Sequence, residues 1–116
     1  MATIAGACAT GAADTEPVVA DGEEQLVAEG EQLYEATCAQ CHGADLGGTD
    51  NGPPFLDDVY TPDHHPDGAF YAAAQFGVQA HHWAFGAMPP QDVDEEEVAA
   101  IVAYVRSVQR AEGIAP

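Results

Sequence analysis

The chain is 116 residues long, the size of one domain, with little room for a second core. Twenty acidic residues stand against two arginines and no lysine, so the formal net charge is −18, and repulsion excludes nucleic acid and anionic membrane surfaces as partners. Three cysteines, only one pair of them close, exclude a four-cysteine zinc ribbon, and the lack of runs rich in β-branched and aromatic residues excludes a thioredoxin-like redox fold.

Residues 1–24, rich in Ala, Gly and acids and without periodicity, read as a flexible acidic tether. From residue 25 the pattern changes: Leu26, Gly30, Leu33 and Tyr34 fall on one face of a helix. Gly30 costs that helix stability, which makes sense where a second helix crosses closely; otherwise it is simply tolerated. The helix runs into "ATCAQCHGADL", in which Cys38 and Cys41 stand two residues apart and His42 follows at once. This C-x-x-C-H spacing suits covalent attachment of one haem c. Two thiols about a helical turn apart can add to the two vinyl groups on one porphyrin edge, and the histidine can bring its imidazole under the iron from the same turn.

"PDHHPDG" and "VQAHHWAFGAM" carry two histidine pairs, His64 with His65 and His81 with His82. Neighbouring residues on a helix or strand face different ways, so each pair offers one well-placed ring to a given site. These four are ordinary solvated or hydrogen-bonding residues, or else a haem-propionate contact, a pH-sensitive packing element or a weak copper or zinc site. Trp83 either donates its indole hydrogen to a propionate or is core. "PDGAFYAAAQFG" reads as a short middle helix with Pro66 near its start and Gly77 just past its end. Its Phe70 and Phe76 read as core or haem-packing residues. In "FGAMPPQD", Met88 is the one methionine besides Met1, and Pro89 biases it away from helical dihedrals. Beside a haem motif it is a candidate second axial ligand; the alternative is a core filler. A closing helix carries an apolar stripe of Val98, Ile101, Val102 and Val105. Asp94 and Glu97 form a capping box at its start. The acidic first turn and the late Arg106 and Arg110 suit the helix dipole, and Gly113 is the stop before a tail of residues 113–116.

Taken in order, "GEQLYEATCAQCHG", "NGPPFL", "FGAMPP" and "EEEVAAIVAYVRSV" resemble the class I c-type cytochromes of bacterial type, the single-haem carriers with His/Met ligation, over about Gln25 to Ala111. The resemblance implies an all-α cytochrome c fold over residues 25–112, three main helices plus short helices and loops wrapped around one covalently bound haem. It implies that the closing helix crosses the first at Gly30, near Tyr104. The carbonyl of Pro53, which follows Gly52, would accept the Nδ1 hydrogen of His42, with Pro54 beside it as the alternative.

With His42 and Met88 on the iron there is no open position for substrate, so the expected function is one-electron transfer, not enzymatic catalysis, as a carrier in a bacterial respiratory chain. Two alternatives stay open: an electron-entry subunit or domain of a larger oxidase or dehydrogenase, and a ligand-sensing haem protein with a labile sixth position. Partners are redox proteins (an oxidase, dehydrogenase or quinol-oxidising complex) with a basic or apolar docking surface, met by a monomer. The same acidic surface also arises by adaptation to high salt. Attachment of haem c is completed outside the cytoplasm, so an extracytoplasmic location and an export signal are expected. The residues ahead of Cys8 are too few for that signal and carry no basic group, so it is expected outside this sequence. "AGAC" resembles the end of a bacterial lipoprotein signal, without the usual leucine. Cys8 is then either a lipid anchor or an incidental thiol.

Overall fold

The structure, a computed structural model, describes residues 18–80 and 86–116, with side chains from residue 22 onward. Cys8, His81, His82 and Trp83 lie outside the described residues. Four α-helices follow one another, α1 (Val18–Thr37), α2 (Ala39–His42), α3 (Asp67–Phe76) and α4 (Glu95–Ala111), with a 3-10 turn at Asp58–Tyr60. Among the described residues there is no strand, only two isolated bridges, Thr49 with Gly52 and Val78 with Met88. The fold is the expected all-α one of three main helices with short helices and loops between them.

The first helix begins earlier than expected. Val18 to Glu24, read as part of the flexible tether, belong to α1. Residues 22–25 are exposed, so this part of the helix buries no face that would impose a periodicity. Once a helix is nucleated further along, each added residue gains a hydrogen bond at small cost, and Glu23 and Glu24 near the N-terminus suit the dipole. Pro17, lacking an N–H, stands just ahead of the start.

The centre of the fold is the crossing of α1 and α4. A Cβ at Gly30 would overlap the carbonyl of Ala100 and touch the Tyr104 Cβ at 3.0 Å, so the glycine is required by the close approach and is not merely tolerated. Tyr34, Val98, Ala100, Ile101, Val102 and Val105 are buried around the crossing, and Leu33 is partly covered. Leu26, one turn further from it, remains 37% exposed.

Helix α4 starts as its sequence demands. The Glu97 N–H donates to Asp94 Oδ1 at 2.8 Å and the Asp94 N–H to Glu97 Oε1 at 2.9 Å, which closes the capping box. It ends with Gly113 at φ +80°, and the Ile114 N–H turns back to the Gln109 carbonyl at 3.1 Å. Helix α3 starts from Pro66 and stops at Gly77, φ +78°. Phe70 packs against the core, but Phe76 is 77% exposed and is no part of the buried core among the described residues. It is the last residue of α3, where Gly77 turns the chain away.

Arg106 departs from its expected place. It suits the helix dipole, but it is buried, and its guanidinium joins α4 to the segment ahead of α3. Nη1 donates to the Tyr60 carbonyl at 2.7 Å and to Gln109 Oε1 at 2.8 Å, Nη2 to the His65 carbonyl at 2.6 Å, and Nε to Asp67 Oδ1 at 2.9 Å. The group also lies 4.9 Å from the centre of the Phe70 ring. A planar fork with five N–H donors can satisfy such a loop where an ammonium cannot.

Candidate functional site

The two close cysteines stand where α1 gives way to α2. The Cys38 N–H still donates to Tyr34 at 2.8 Å, and the His42 N–H donates to the Cys38 carbonyl at 2.9 Å. Both thiols are free; Cys38 is half-buried and Cys41 exposed. Burial, with Cys41 adding to it, pushes the Cys38 thiol up to about 11, so it stays protonated in neutral solution.

The turn is clamped from three sides. The Tyr34 hydroxyl donates to the Gly43 carbonyl at 2.6 Å, the Thr49 hydroxyl donates to the Cys41 carbonyl at 2.7 Å, and the Gly48 N–H donates to the His42 carbonyl at 2.8 Å. At Gly52 a Cβ would come within 2.5 Å of that same Cys41 carbonyl, so only glycine lets the 52–56 segment lie this close.

That segment decides the state of His42. His42 Nδ1 lies 2.9 Å from the Pro53 carbonyl, not that of Pro54. A carbonyl can only accept, so Nδ1 carries the hydrogen. Burial also holds His42 below the ordinary histidine range, partly offset by that hydrogen bond, and so favours the neutral ring. A neutral ring with its hydrogen on Nδ1 has its lone pair on Nε2. Nε2 has no hydrogen-bond partner among the described residues and is not sealed from the surface. It is a donor atom left ready for a metal.

Phe55, three residues past Gly52, stacks on the imidazole with centroids 4.1 Å apart and planes 18° from parallel. Leu46 brings it there. With φ +62°, the only described non-glycine residue at positive φ, Leu46 turns its carbonyl to accept from both the Phe55 and Leu56 N–H groups, at 2.9 and 3.2 Å.

Met88 is held by another set of contacts. It pairs with Val78 in both directions, Met88 N–H to the Val78 carbonyl at 2.7 Å and Val78 N–H to the Met88 carbonyl at 2.9 Å. A Cβ on Gly77 would meet the Met88 carbonyl at 2.5 Å and Pro90 Cδ at 3.1 Å. The Gln91 N–H then donates to the Ala74 carbonyl at 2.8 Å. The methionine loop is thus tied to the end of α3, and Met88 is half-buried.

His65 is a structural residue. Its Nδ1 donates to the Val59 carbonyl at 2.5 Å and its ring lies 4.7 Å from that of Tyr60 and 4.9 Å from that of His64. Among the described residues no three His, Cys, Asp or Glu gather to hold a metal ion. The donors are instead two thiols and an imidazole with a free Nε2 on one turn, and a thioether on a separate loop after α3. That set fits a covalently attached haem. Phe55, Thr49 and Gln109, the last donating to the Phe55 carbonyl at 2.9 Å, escaped the sequence reading. Phe55 and Thr49 lie close after the haem motif, but nothing in their spacing says which atom they reach.

The family model described as Cytochrome c matches residues 27–109. No curated protein matches the chain.

Proposed function

The chain belongs to the cytochrome c family, whose domains carry a covalently bound c-type haem and transfer electrons through it, and on that premise we propose a bacterial class I carrier with His/Met ligation. In this reading Cys38 and Cys41 would attach the haem, and His42 and Met88 would ligate its iron. The observation that carries it is the His42 ring: its Nδ1 is committed to the Pro53 carbonyl, which leaves Nε2 for iron beside two free thiols. When bound, the haem supplies one-electron exchange between ferric and ferrous iron.

The chain's own residues do the rest. Pro53 keeps the hydrogen on Nδ1 and raises the basicity of Nε2. The thioether of Met88, being soft, favours the ferrous state and raises the potential. His42, tied to Pro53, and Met88, whose backbone is paired with Val78, would hold the iron in both states, so that ligation would change little on electron exchange. Cytochrome c domains are in general carriers rather than enzymes, and a closed coordination sphere accords with that.

Charge supports the partner class. One of the two arginines, Arg106, is buried, so Arg110 is the exposed one. A surface so acidic is suited to a basic or apolar docking face on an oxidase, dehydrogenase or quinol-oxidising complex of a respiratory chain, outside the cytoplasm.

The ferric absorption spectrum tests the ligand assignment. The wild-type protein is expected to show the weak red charge-transfer band of an iron–thioether bond, and Met88→Ala to lose it, with a fall in potential and rapid carbon monoxide binding to the reduced form. A haem-loaded wild type that lacks the band overturns Met88 as ligand and turns attention to His81 and His82. For the partner, electron-transfer rates with a basic redox protein are expected to fall as salt rises. A rate indifferent to salt removes electrostatic docking.

A further inference from the structure

The hydrogen bond from His42 to Pro53 fixes one atom of the ring but not its plane. Rotation about the bond joining an imidazole to its Cβ is a broad torsion, and a single acceptor leaves the ring able to pivot around it. A second contact must set the plane if it is to be set at all. Phe55 makes that contact, lying nearly parallel to the imidazole at 4.1 Å.

Phe55 is itself boxed in. Its ring meets Tyr34 of α1 edge-on at 6.3 Å, Tyr60 of the 3-10 turn at 5.4 Å and Phe70 of α3 at 5.4 Å. Its backbone is held at both ends, the N–H by the Leu46 carbonyl at 2.9 Å and the carbonyl by the Gln109 side chain of α4, also at 2.9 Å. Helices α1, α3 and α4 and the 3-10 turn therefore converge on one residue, whose ring lies on His42. A residue that merely filled volume would need no parallel planar face toward the imidazole.

We propose that Phe55 is a positioning residue that sets the plane of the His42 ring, and with it the direction in which that ligand meets the haem. This rests on His42 being an axial ligand, as proposed above. In a ferric haem the plane of the axial imidazole governs how unpaired spin is shared among the four pyrroles. The order and spread of the paramagnetically shifted haem methyl resonances therefore respond to that plane, with Met88 the same in every protein compared, whatever the protein's activity or stability.

The experiment compares proton NMR spectra of the oxidised, haem-loaded wild type with Phe55→Leu and Phe70→Leu. Phe70→Leu removes a neighbour of Phe55 but no ring contact of His42, so it is the control for loosened packing. Phe55→Leu is expected to redistribute the methyl shifts and Phe70→Leu to keep the wild-type order. If Phe55→Leu does not fold, Phe55→Met, which retains the bulk but lacks the planar face, carries the same comparison. A wild-type methyl pattern in either Phe55 variant overturns the proposal, and so does a Phe70→Leu pattern displaced as far as theirs. Failure of the premise looks different: in the wild type itself the His42 ring protons would show no paramagnetic shift.

Discussion

At Tyr34 a single hydroxyl serves both the core and the site. It donates to the Gly43 carbonyl just behind His42, and its ring lies against Phe55 and Tyr104. Burial first, and then the neighbouring Cys38, Tyr104 and Asp45, raise the phenol above its ordinary value of 10.0. A raised folded value means that the native state prefers the neutral phenol. Its contribution is complete below about pH 10 and is lost as pH climbs toward the folded value. Tyr34→Phe is therefore expected to cost about 1 kcal/mol at neutral pH through the lost hydrogen bond, and to flatten the loss of stability at alkaline pH. Tyr104, raised chiefly by burial and then by Glu31 and Glu35, leaves a residual slope. Denaturant unfolding of both proteins from pH 7 to 11 is the check, and an alkaline slope unchanged in Tyr34→Phe would remove Tyr34 from the account.

Between elements, two contacts carry distinct consequences. Gly30→Ala drives a methyl into the Ala100 carbonyl, and since neither helix backbone can retreat without uncovering Tyr34 and Val105, a loss of about 3 kcal/mol is expected. A midpoint within experimental error of the wild type in urea would mean that the helices separate more freely than their packing suggests. Arg106→Lys keeps the charge but not the fork. The His65 carbonyl then loses its guanidinium donor, at an expected cost of about 2 kcal/mol, although Tyr60 keeps a donor from Gln109 at 3.0 Å. The ion pair with Asp67 contributes little of this, because that carboxylate is largely exposed. The same pair of elements shows how far local pattern reaches. The capping box, the apolar stripe and the Gly113 stop of α4 are legible because each is decided within one or two turns. The burial of Arg106 is not, since its hydrogen bonds to Asp67 and Tyr60 span 39 and 46 positions.

Over the whole molecule, charge dominates. With a formal net charge of −18 and one of two arginines used inside, the folded surface repels itself. Screening lengths shrink from about 30 Å at 0.01 M salt to about 8 Å at 0.15 M, so thermal unfolding is expected to shift upward with sodium chloride over that range. A midpoint that stays level or falls would show that the acids are spaced widely enough not to interact. The reach of the first helix belongs at this scale too. Gly22 to Gln25 are exposed and bury no face that would imprint a periodicity, so helix there leaves no pattern in the sequence.

What the sequence determined by itself was the chemistry: two thiols and an imidazole at the spacing a porphyrin edge requires, and a lone internal methionine before two prolines. Each is a local constraint, imposed by covalent geometry, and local constraints survive in one dimension. Only the tertiary structure decided that Pro53 rather than Pro54 holds His42, that Phe55 lies flat on its ring, and that Arg106 turns inward. Those outcomes depend on which carbonyls and rings are brought together across dozens of residues, as when Gln109 reaches the Phe55 carbonyl 54 positions away, and a chain acquires such neighbours only by folding.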